Sequence, residues 1–151
     1  RDRGPLVSAA QKPEFRISRV FDAPRSLVFE AWSKAEYVAR WFTPAPLTTP
    51  VCEVDLRAGG VFRVVMRMPN GTDHPMNATF LEVIPDERIV FKAIIDGDLE
   101  VHTTVTFADE GDKTRLEAHQ VYSRESPSTL GAPAGWAATL DQLAAFVREC
   151  G

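Results

Sequence analysis

The segment 135–149, GWAATLDQLAAFVRE, is the one long amphipathic element that the sequence contains. Four apolar side chains in it recur at positions i, i+4, i+7 and i+11, the spacing of a single α-helix face: Trp136, Leu140, Leu143 and Val147. This stripe predicts a helix that follows a linker over residues 123–135 and runs to about Glu149. An apolar helix face needs a second surface to cover it, so the rest of the chain must supply one.

The covering surface is predicted by residues 51–122, where alternating apolar segments are separated by short turn sequences. Five such turns occur, all of compositions typical of tight turns: Ala58-Gly59-Gly60, Asn70-Gly71, Pro85-Asp86, Asp96-Gly97 and Glu110-Gly111. They predict six consecutive antiparallel strands, over residues 51–56, 61–68, 76–84, 88–95, 99–108 and 113–122.

The residues ahead of this region predict one more strand and two short helices. Phe15 and Ile17 alternate with polar neighbours, which is typical of a strand, and Pro24 follows where it suits the first turn of a helix. Ser33 and Glu36, three residues apart, form a predicted capping box at the start of a second helix. Both helices therefore precede the six strands.

These elements predict an α+β fold. A seven-stranded antiparallel sheet needs a cover for its apolar face, and the C-terminal helix is the only long element available for that purpose. We therefore expect a curved antiparallel sheet that wraps around the long C-terminal helix, with two short helices between strands 1 and 2. The Gly59-Gly60 pair and the natural twist of strands allow the sheet to curl, which leaves room for an apolar cavity under the helix.

Length and composition describe one ordinary globular domain. The chain has 151 residues, 44% of them hydrophobic and 25% charged, enough for one sizeable core. We expect a flexible lead-in over residues 1–13 and a single domain over residues 14–150. The formal net charge is −4 and the basic residues are scattered, which disfavours nucleic acid and membrane as partners. No apolar run approaches the ~18 residues of a membrane span, and no secretory leader pattern occurs, so a cytoplasmic location is expected.

Strand and helix periodicity also predicts which side chains face the cavity. The candidate ligand-pocket residues are mainly apolar, with two polar groups that could orient a ligand: Trp41, Phe62, Val64, Met66, Phe91, Thr103, Gln120, Trp136, Leu140 and Leu143. Residues 76–84 permit two registers, and a slip of one residue exchanges the two faces of a strand. Glu82 is therefore either a carboxylate inside the pocket or an exposed one.

Hairpin pairing predicts the outer face of the sheet as well. With the pair Glu110-Gly111 at the centre of the last turn, His102 lies opposite His119 on the solvent side. The same logic at the first hairpin leaves Asp55 and Arg63 outside as an ion pair. These polar residues are interpreted as a solvated surface.

The sequence carries no pattern typical of a metal, nucleophile or nucleotide site. His102 and His119 supply at most two metal ligands, and no third ligand is aimed at them. Cys52 and Cys150 form no CxxC motif and are interpreted as inert thiols. Neither a GxSxG motif nor a glycine-rich phosphate loop occurs. We therefore predict no metal, no cofactor and no catalytic residue.

Several motifs in order resemble the AHSA-type family of the START-like superfamily. They begin with Arg19-Val20-Phe21-Asp22-Ala23-Pro24 and Arg40-Trp41-Phe42, and continue with Asp55-Leu56-Arg57-Ala58-Gly59-Gly60 and Gly135-Trp136. The resemblance covers roughly residues 14–149 and implies the helix-grip fold. Family members often have two consecutive tryptophans where this chain has Trp41-Phe42. The family is named for a co-chaperone that activates the ATPase of heat-shock protein 90, and related helix-grip proteins include lipid carriers, polyketide cyclases and dehydratases.

Three functions are compatible with this sequence. The leading hypothesis is binding of a small hydrophobic or aromatic molecule between the C-terminal helix and the sheet, by a monomer or homodimer. The second is a cyclase-like or hydrolase-like enzyme that uses the same cavity, for which Glu82 or Gln120 must face inward. The third is an interaction with a chaperone. Because only one domain is predicted, the resemblance is weak evidence for chaperone activity.

Overall fold

A computed structural model describes residues 12–150 of the chain. Most of the predicted lead-in, residues 1–11, lies outside the described residues, as does Gly151. The first element begins at Glu14 and the last one ends at Cys150.

Over residues 12–150, the fold comprises seven strands and three α-helices. The strands are β1 Glu14–Phe21, β2 Thr48–Val54, β3 Val61–Arg67, β4 Asp73–Ile84, β5 Arg88–Ile95, β6 Leu99–Glu110 and β7 Lys113–Tyr122. The helices are α1 Arg25–Glu30, α2 Ala35–Trp41 and α3 Ala132–Cys150, with a single 3₁₀ turn at Pro127–Thr129. The predicted α+β helix-grip architecture is confirmed, including the two short helices between β1 and β2.

The strands form one antiparallel sheet in the order β1-β7-β6-β5-β4-β3-β2. After β1 the chain passes through α1 and α2 to the opposite edge of the sheet. It then returns strand by strand through adjacent hairpins, so that β7 ends beside β1. Helix α3 follows β7 and packs across the concave face, where it contacts β1 and the two short helices.

In the last hairpin, each residue of β6 pairs with a residue of β7 that lies two positions further along the chain than predicted. Glu110 pairs with Lys113, so the central turn residues are Gly111 and Asp112 rather than Glu110 and Gly111. Gly111 has φ of 66°, a left-handed conformation that glycine adopts without strain. His102 therefore lies opposite Val121 and not opposite His119. A shift of two residues keeps every side chain on its predicted face, because side chains alternate with a period of two.

The first hairpin corrects the predicted ion pair. Val54 pairs with Phe62, so Glu53 is the residue opposite Arg63, and these two form the salt bridge, at 3.5 Å. Asp55 lies beyond the end of β2 and pairs instead with Arg57, at 2.8 Å. The prediction treated residues 55 and 56 as part of the strand, whereas the chain has already turned there.

The starts of α2 and α3 also differ from the predicted ones. The capping box is wrong: α2 has Lys34 at its N-cap without a side-chain cap, and the Ser33 hydroxyl donates to the Glu30 carbonyl oxygen, at 2.6 Å. The hydroxyl is therefore used by the end of α1. Helix α3 starts at Ala132, inside the predicted linker, because Pro133 is tolerated in a first helical turn, where its missing N–H has no partner to lose.

Candidate functional site

Aromatic side chains fill much of the hollow between α3 and strands β3 to β5. Phe62 stacks on Phe80 with ring centroids 5.0 Å apart and meets Phe91 edge to face at the same distance. Phe42 bridges this group to the helix, with centroids 5.3 Å from Phe62 and 6.2 Å from Trp136. All five are buried. Phe62 and Phe91 of the predicted pocket therefore contact each other, and Trp136 is joined to them through Phe42.

Trp41 packs where the two short helices meet, and its ring centroid lies 5.6 Å from that of Phe42. Its indole Nε1 donates to the Ala31 carbonyl oxygen at 3.0 Å, and its ring meets Trp32 edge to face with centroids 4.8 Å apart. The side chain is fully buried. It fixes the packing of α1 on α2, and Phe42, its neighbour, is the residue that faces Phe62 and Trp136.

The remaining apolar members of the predicted pocket also belong to the buried interior. Val64, Leu140 and Leu143 are fully or almost fully buried in the main core, and Met66 is half-buried against it. Leu140 differs from the others in one respect, because it also forms part of the wall of a surface cleft described below.

A buried polar chain crosses the inner face of β6 and β7. The Tyr122 hydroxyl donates to Gln120 Oε1 at 2.7 Å, and Gln120 Nε2 donates to Thr103 Oγ1 at 2.9 Å. All three residues are buried. Burial disfavours the charged phenolate and raises the pKa of Tyr122 to about 12. The two predicted polar pocket residues thus bond to each other, and Tyr122 completes the chain.

Glu82 is on the outer side of the sheet. The pairing of β4 with β5 shifts register between Phe80 and Glu82, so the strand carries an irregularity there. The Glu82 carboxylate is 46% exposed and lies 2.8 Å from the guanidinium of Arg88. The ambiguity in the sequence is resolved by this bulge, and the carboxylate that an acid-base reaction would need does not enter the hollow.

An open cleft of about 210 Å³ lies where α3 passes the edge strand β1. Its walls come from one strand and one helix: Ile17, Ser18 and Arg19 on β1, and Ala137, Leu140 and Asp141 on α3. Ala137 is exposed and contributes only a methyl group to this wall. Ile17 and Leu140 form an apolar floor, of which half-buried Ile17 is the more exposed part and Leu140 is almost fully buried.

One ion pair closes the rim of this cleft. The Arg19 guanidinium donates through Nη1 to Asp141 Oδ1. The Arg19 side chain is 35% exposed and that of Asp141 is 72% exposed. Ion pairs with this much exposure contribute only about 0–1 kcal/mol to stability. The pair can therefore open at little cost.

A second groove, of about 150 Å³, lies outside the concave face of the sheet. It is lined by residues of α1, α2 and the end of α3: Leu27, Glu30, Ala31, Tyr37, Phe146, Val147 and Cys150. Cys150 is an exposed thiol, and Cys52 is a half-buried one. Burial, followed by the charge of Glu53, raises the pKa of the Cys52 thiol, which disfavours the nucleophilic thiolate.

Histidine positions are consistent with a solvated outer face. His102 lies 3.7 Å from Glu100, and His119 pairs with Glu14. Within residues 12–150, no group of three or more His, Cys, Asp or Glu side chains is arranged to hold a metal ion. None of the helices in this part of the chain is long and apolar enough to cross a membrane.

Two features of the site were missed in the sequence. Tyr122 lies two residues after Gln120 on the same strand, so the alternation that placed Gln120 inward also places Tyr122 inward. Arg19 interrupts the inward row of β1, between Ile17 and Phe21. A charged residue in an otherwise apolar row was the available signal, but the position of the helix beside it could not be inferred from periodicity.

The sheet order, the long helix in its concavity and the two short helices after β1 define a START-like helix-grip protein. The sequence model of the family described as "Activator of Hsp90 ATPase homolog 1-like protein" matches residues 22–148. The chain belongs to this family. The resemblance found in the sequence is therefore confirmed.

Solved structures from bacteria have the same fold. A protein of Chromobacterium violaceum is 28% identical, with 89% of this chain and 96% of that chain covered, at a TM-score of 0.79. A putative uncharacterised protein of Rhizobium leguminosarum is 26% identical over 92% and 96% of the two chains, also at 0.79. A protein of Nitrosomonas europaea is 25% identical over 90% and 94%, at 0.78. A comparison with the curated proteins found no match.

Proposed function

We propose that this protein binds a small hydrophobic or aromatic molecule between its C-terminal helix and the sheet, at the cleft between α3 and β1. The observation that carries the proposal is the open, apolar-floored space between Ile17 and Leu140. Of the two clefts given above, this one lies between the C-terminal helix and the sheet, which is where the leading hypothesis expects the ligand. Because the aromatic side chains farther inside pack against one another, we place the ligand at this edge of the concave face.

The size of the cleft restricts the ligand. Pockets for drug-sized molecules usually have volumes of about 300–1,000 Å³, whereas an apolar cavity of about 150 Å³ accepts benzene. The cleft of about 210 Å³ suits one aromatic ring with a short substituent, or a short alkyl chain. A longer molecule would have to extend into solvent or displace the packed aromatic side chains.

The proposal predicts that filling the cleft abolishes binding. The test uses ¹H–¹⁵N spectra recorded during titration with single-ring aromatic compounds, and a thermal unfolding assay of the same samples. Ligand should shift the amide signals of residues 17–19 and 137–141 and should raise the unfolding temperature by mass action. An Ala137→Phe variant places a ring in the space between α3 and β1, so we expect at least a tenfold loss of affinity.

The matched control is Ala134→Phe, because Ala134 is exposed on the same helix and does not line the cleft. This variant should bind as the wild type does. Equal binding by both variants, or amide shifts confined to other parts of the protein, would contradict the proposal.

The enzymatic and chaperone hypotheses stay predictions, and fewer structural observations support them. An acid-base reaction in the hollow lacks Glu82, which faces solvent, and Gln120 does not titrate. The family description refers to an Hsp90 ATPase, so the chaperone hypothesis is checked by measuring that ATPase rate with and without this protein. The cytoplasmic location and the monomeric or dimeric state likewise stay predictions.

A further inference from the structure

The inner row of β1 contains a charged residue where an apolar one is expected. Phe15, Ile17, Arg19 and Phe21 alternate toward the concave face, opposite Gln120, Ala118, Leu116 and Thr114 of β7, all of which are buried. Arginine is rarely directed toward a protein interior unless a partner receives its charge. The partner of Arg19 therefore decides what this position does.

The guanidinium of Arg19 lies against an aromatic ring. Its central carbon lies 5.9 Å from the ring centroid of Phe21, within the range of a cation–π contact. Phe21 itself is buried, so this support does not depend on a mobile side chain. The ring thus supports the guanidinium at the rim of the cleft.

Asp141, the carboxylate that pairs with Arg19, uses only part of the hydrogen-bonding capacity of the guanidinium. Asp141 engages Nη1 only, although a guanidinium offers five N–H donors in a planar fork that matches both oxygens of a carboxylate. In the part of the chain that the structure describes, Asp141 is the one carboxylate that forms a salt bridge with Arg19. Asp141 is mostly exposed, so water can solvate it fully when it is released.

We infer that the cleft between β1 and α3 is selective for monocarboxylic acids with a small apolar body, whose carboxylate replaces Asp141 on Arg19 while the body lies against Ile17 and Leu140. This inference rests on the proposed function and names its ligand class. A single guanidinium matches one carboxylate in a bidentate pair. A dianion such as a phosphate ester would bring a second charge next to Asp141 without a second cation to balance it.

The matched probes are phenylacetate and its neutral analogue phenylacetamide, which have almost the same shape. Wild-type protein should bind phenylacetate at least tenfold more tightly than phenylacetamide, as measured by ¹H–¹⁵N titration of the cleft amides. Arg19→Gln should remove this difference by weakening phenylacetate while leaving phenylacetamide unchanged. Asp141→Asn should strengthen phenylacetate binding severalfold, because it removes the competing carboxylate.

The control is Arg16→Gln, which removes a charge from the outer face of the same strand, where Arg16 pairs with Glu117. It should leave the binding of both probes as it is in the wild type. If phenylacetate and phenylacetamide bind equally and Ala137→Phe abolishes both, the inference is overturned and the proposed function stands. If neither probe perturbs the cleft amides, both are overturned. Weaker phenylacetate binding by Asp141→Asn would also overturn the inference, because Asp141 would then support the ligand.

Discussion

Tyr122 is a residue whose environment makes stability depend on alkaline pH. Its hydroxyl is buried and donates to Gln120, and its pKa of about 12 lies above the value near 10 that an unfolded chain has. Between pH 10 and 12 the folded protein therefore keeps a proton that the unfolded chain loses. The resulting stabilisation is fully present below pH 10 and is lost as the pH rises through about 12.

We predict that wild-type protein loses about 2 kcal/mol more stability between pH 9 and pH 11.5 than a Tyr122→Phe variant, since each pKa unit corresponds to about 1.4 kcal/mol. Urea unfolding at the two pH values measures the difference, and groups that titrate in both proteins cancel. The control is Tyr37→Phe, which removes the only other tyrosine and keeps Tyr122. Equal pH dependence in wild type and Tyr122→Phe would refute the prediction.

Gly60 is a second residue whose role follows from its immediate surroundings. A Cβ atom at this position would lie 1.9 Å from the Asp55 carbonyl oxygen, which is backbone and cannot turn aside. Gly60 also accepts a hydrogen bond from the Phe80 N–H at 2.9 Å, so the turn between β2 and β3 is joined to β4. The close approach leaves no room for any side chain.

We predict that Gly60→Ala destabilises the protein by about 3 kcal/mol, because overpacking against fixed backbone forces the turn to move. Gly135→Ala is the matched control: a Cβ atom there meets nothing within 4 Å, and the residue is helical. That variant should be stabilised by about 0.4–1 kcal/mol through the lower entropy of the unfolded chain. Chemical denaturation measures both, and similar effects for the two variants would exclude this explanation.

At the scale of elements, Gln142 is the main polar tie between α3 and the segment that follows α2. Its Nε2 donates to the Trp41 and Thr43 carbonyl oxygens at 2.9 and 2.8 Å, and its Oε1 accepts from the Ala45 N–H at 2.9 Å. Thr139 adds a bond to the Phe42 carbonyl oxygen at 2.9 Å. Backbone groups that the end of α2 leaves without helical partners are satisfied in this way.

We predict that Gln142→Ala destabilises the protein by about 2–3 kcal/mol, because a net hydrogen bond contributes about 1 kcal/mol and three are lost. Denaturant unfolding measures the change. Arg148→Ala, an exposed substitution on the same helix, should change stability by less than about 0.5 kcal/mol. A Gln142→Ala variant as stable as Arg148→Ala would show that water replaces these bonds without cost.

At the scale of the whole molecule, the order of strands determines where a ligand can enter. Because β1 pairs with the last strand, α3 returns across the sheet beside the edge that the first strand forms. The aromatic group of Phe42, Phe62, Phe80, Phe91 and Trp136 occupies the side toward β3 to β5. On the side toward β1 a cleft is open, and there the helix presents small Ala137 and charged Asp141.

The sequence by itself determined the element order and, for every strand except β4, which face is buried. Periods of 2 and 3.6 residues are local properties, so Phe62, Phe91, Thr103, Gln120 and the stripe on α3 could be placed inward without knowing their partners. Even the register error in the last hairpin left these faces unchanged, because it amounted to two residues.

Only the tertiary structure decided how the inward side chains meet. Whether Phe62 and Phe91 line a cavity or pack together depends on the distance between α3 and the sheet, which no local period encodes. The outward position of Glu82 depends on a bulge in β4, and the pairing of Arg19 with Asp141 joins residues 122 positions apart in the chain. The candidate site consists of such long-range contacts, so its location at the β1 edge emerged only from the packed fold.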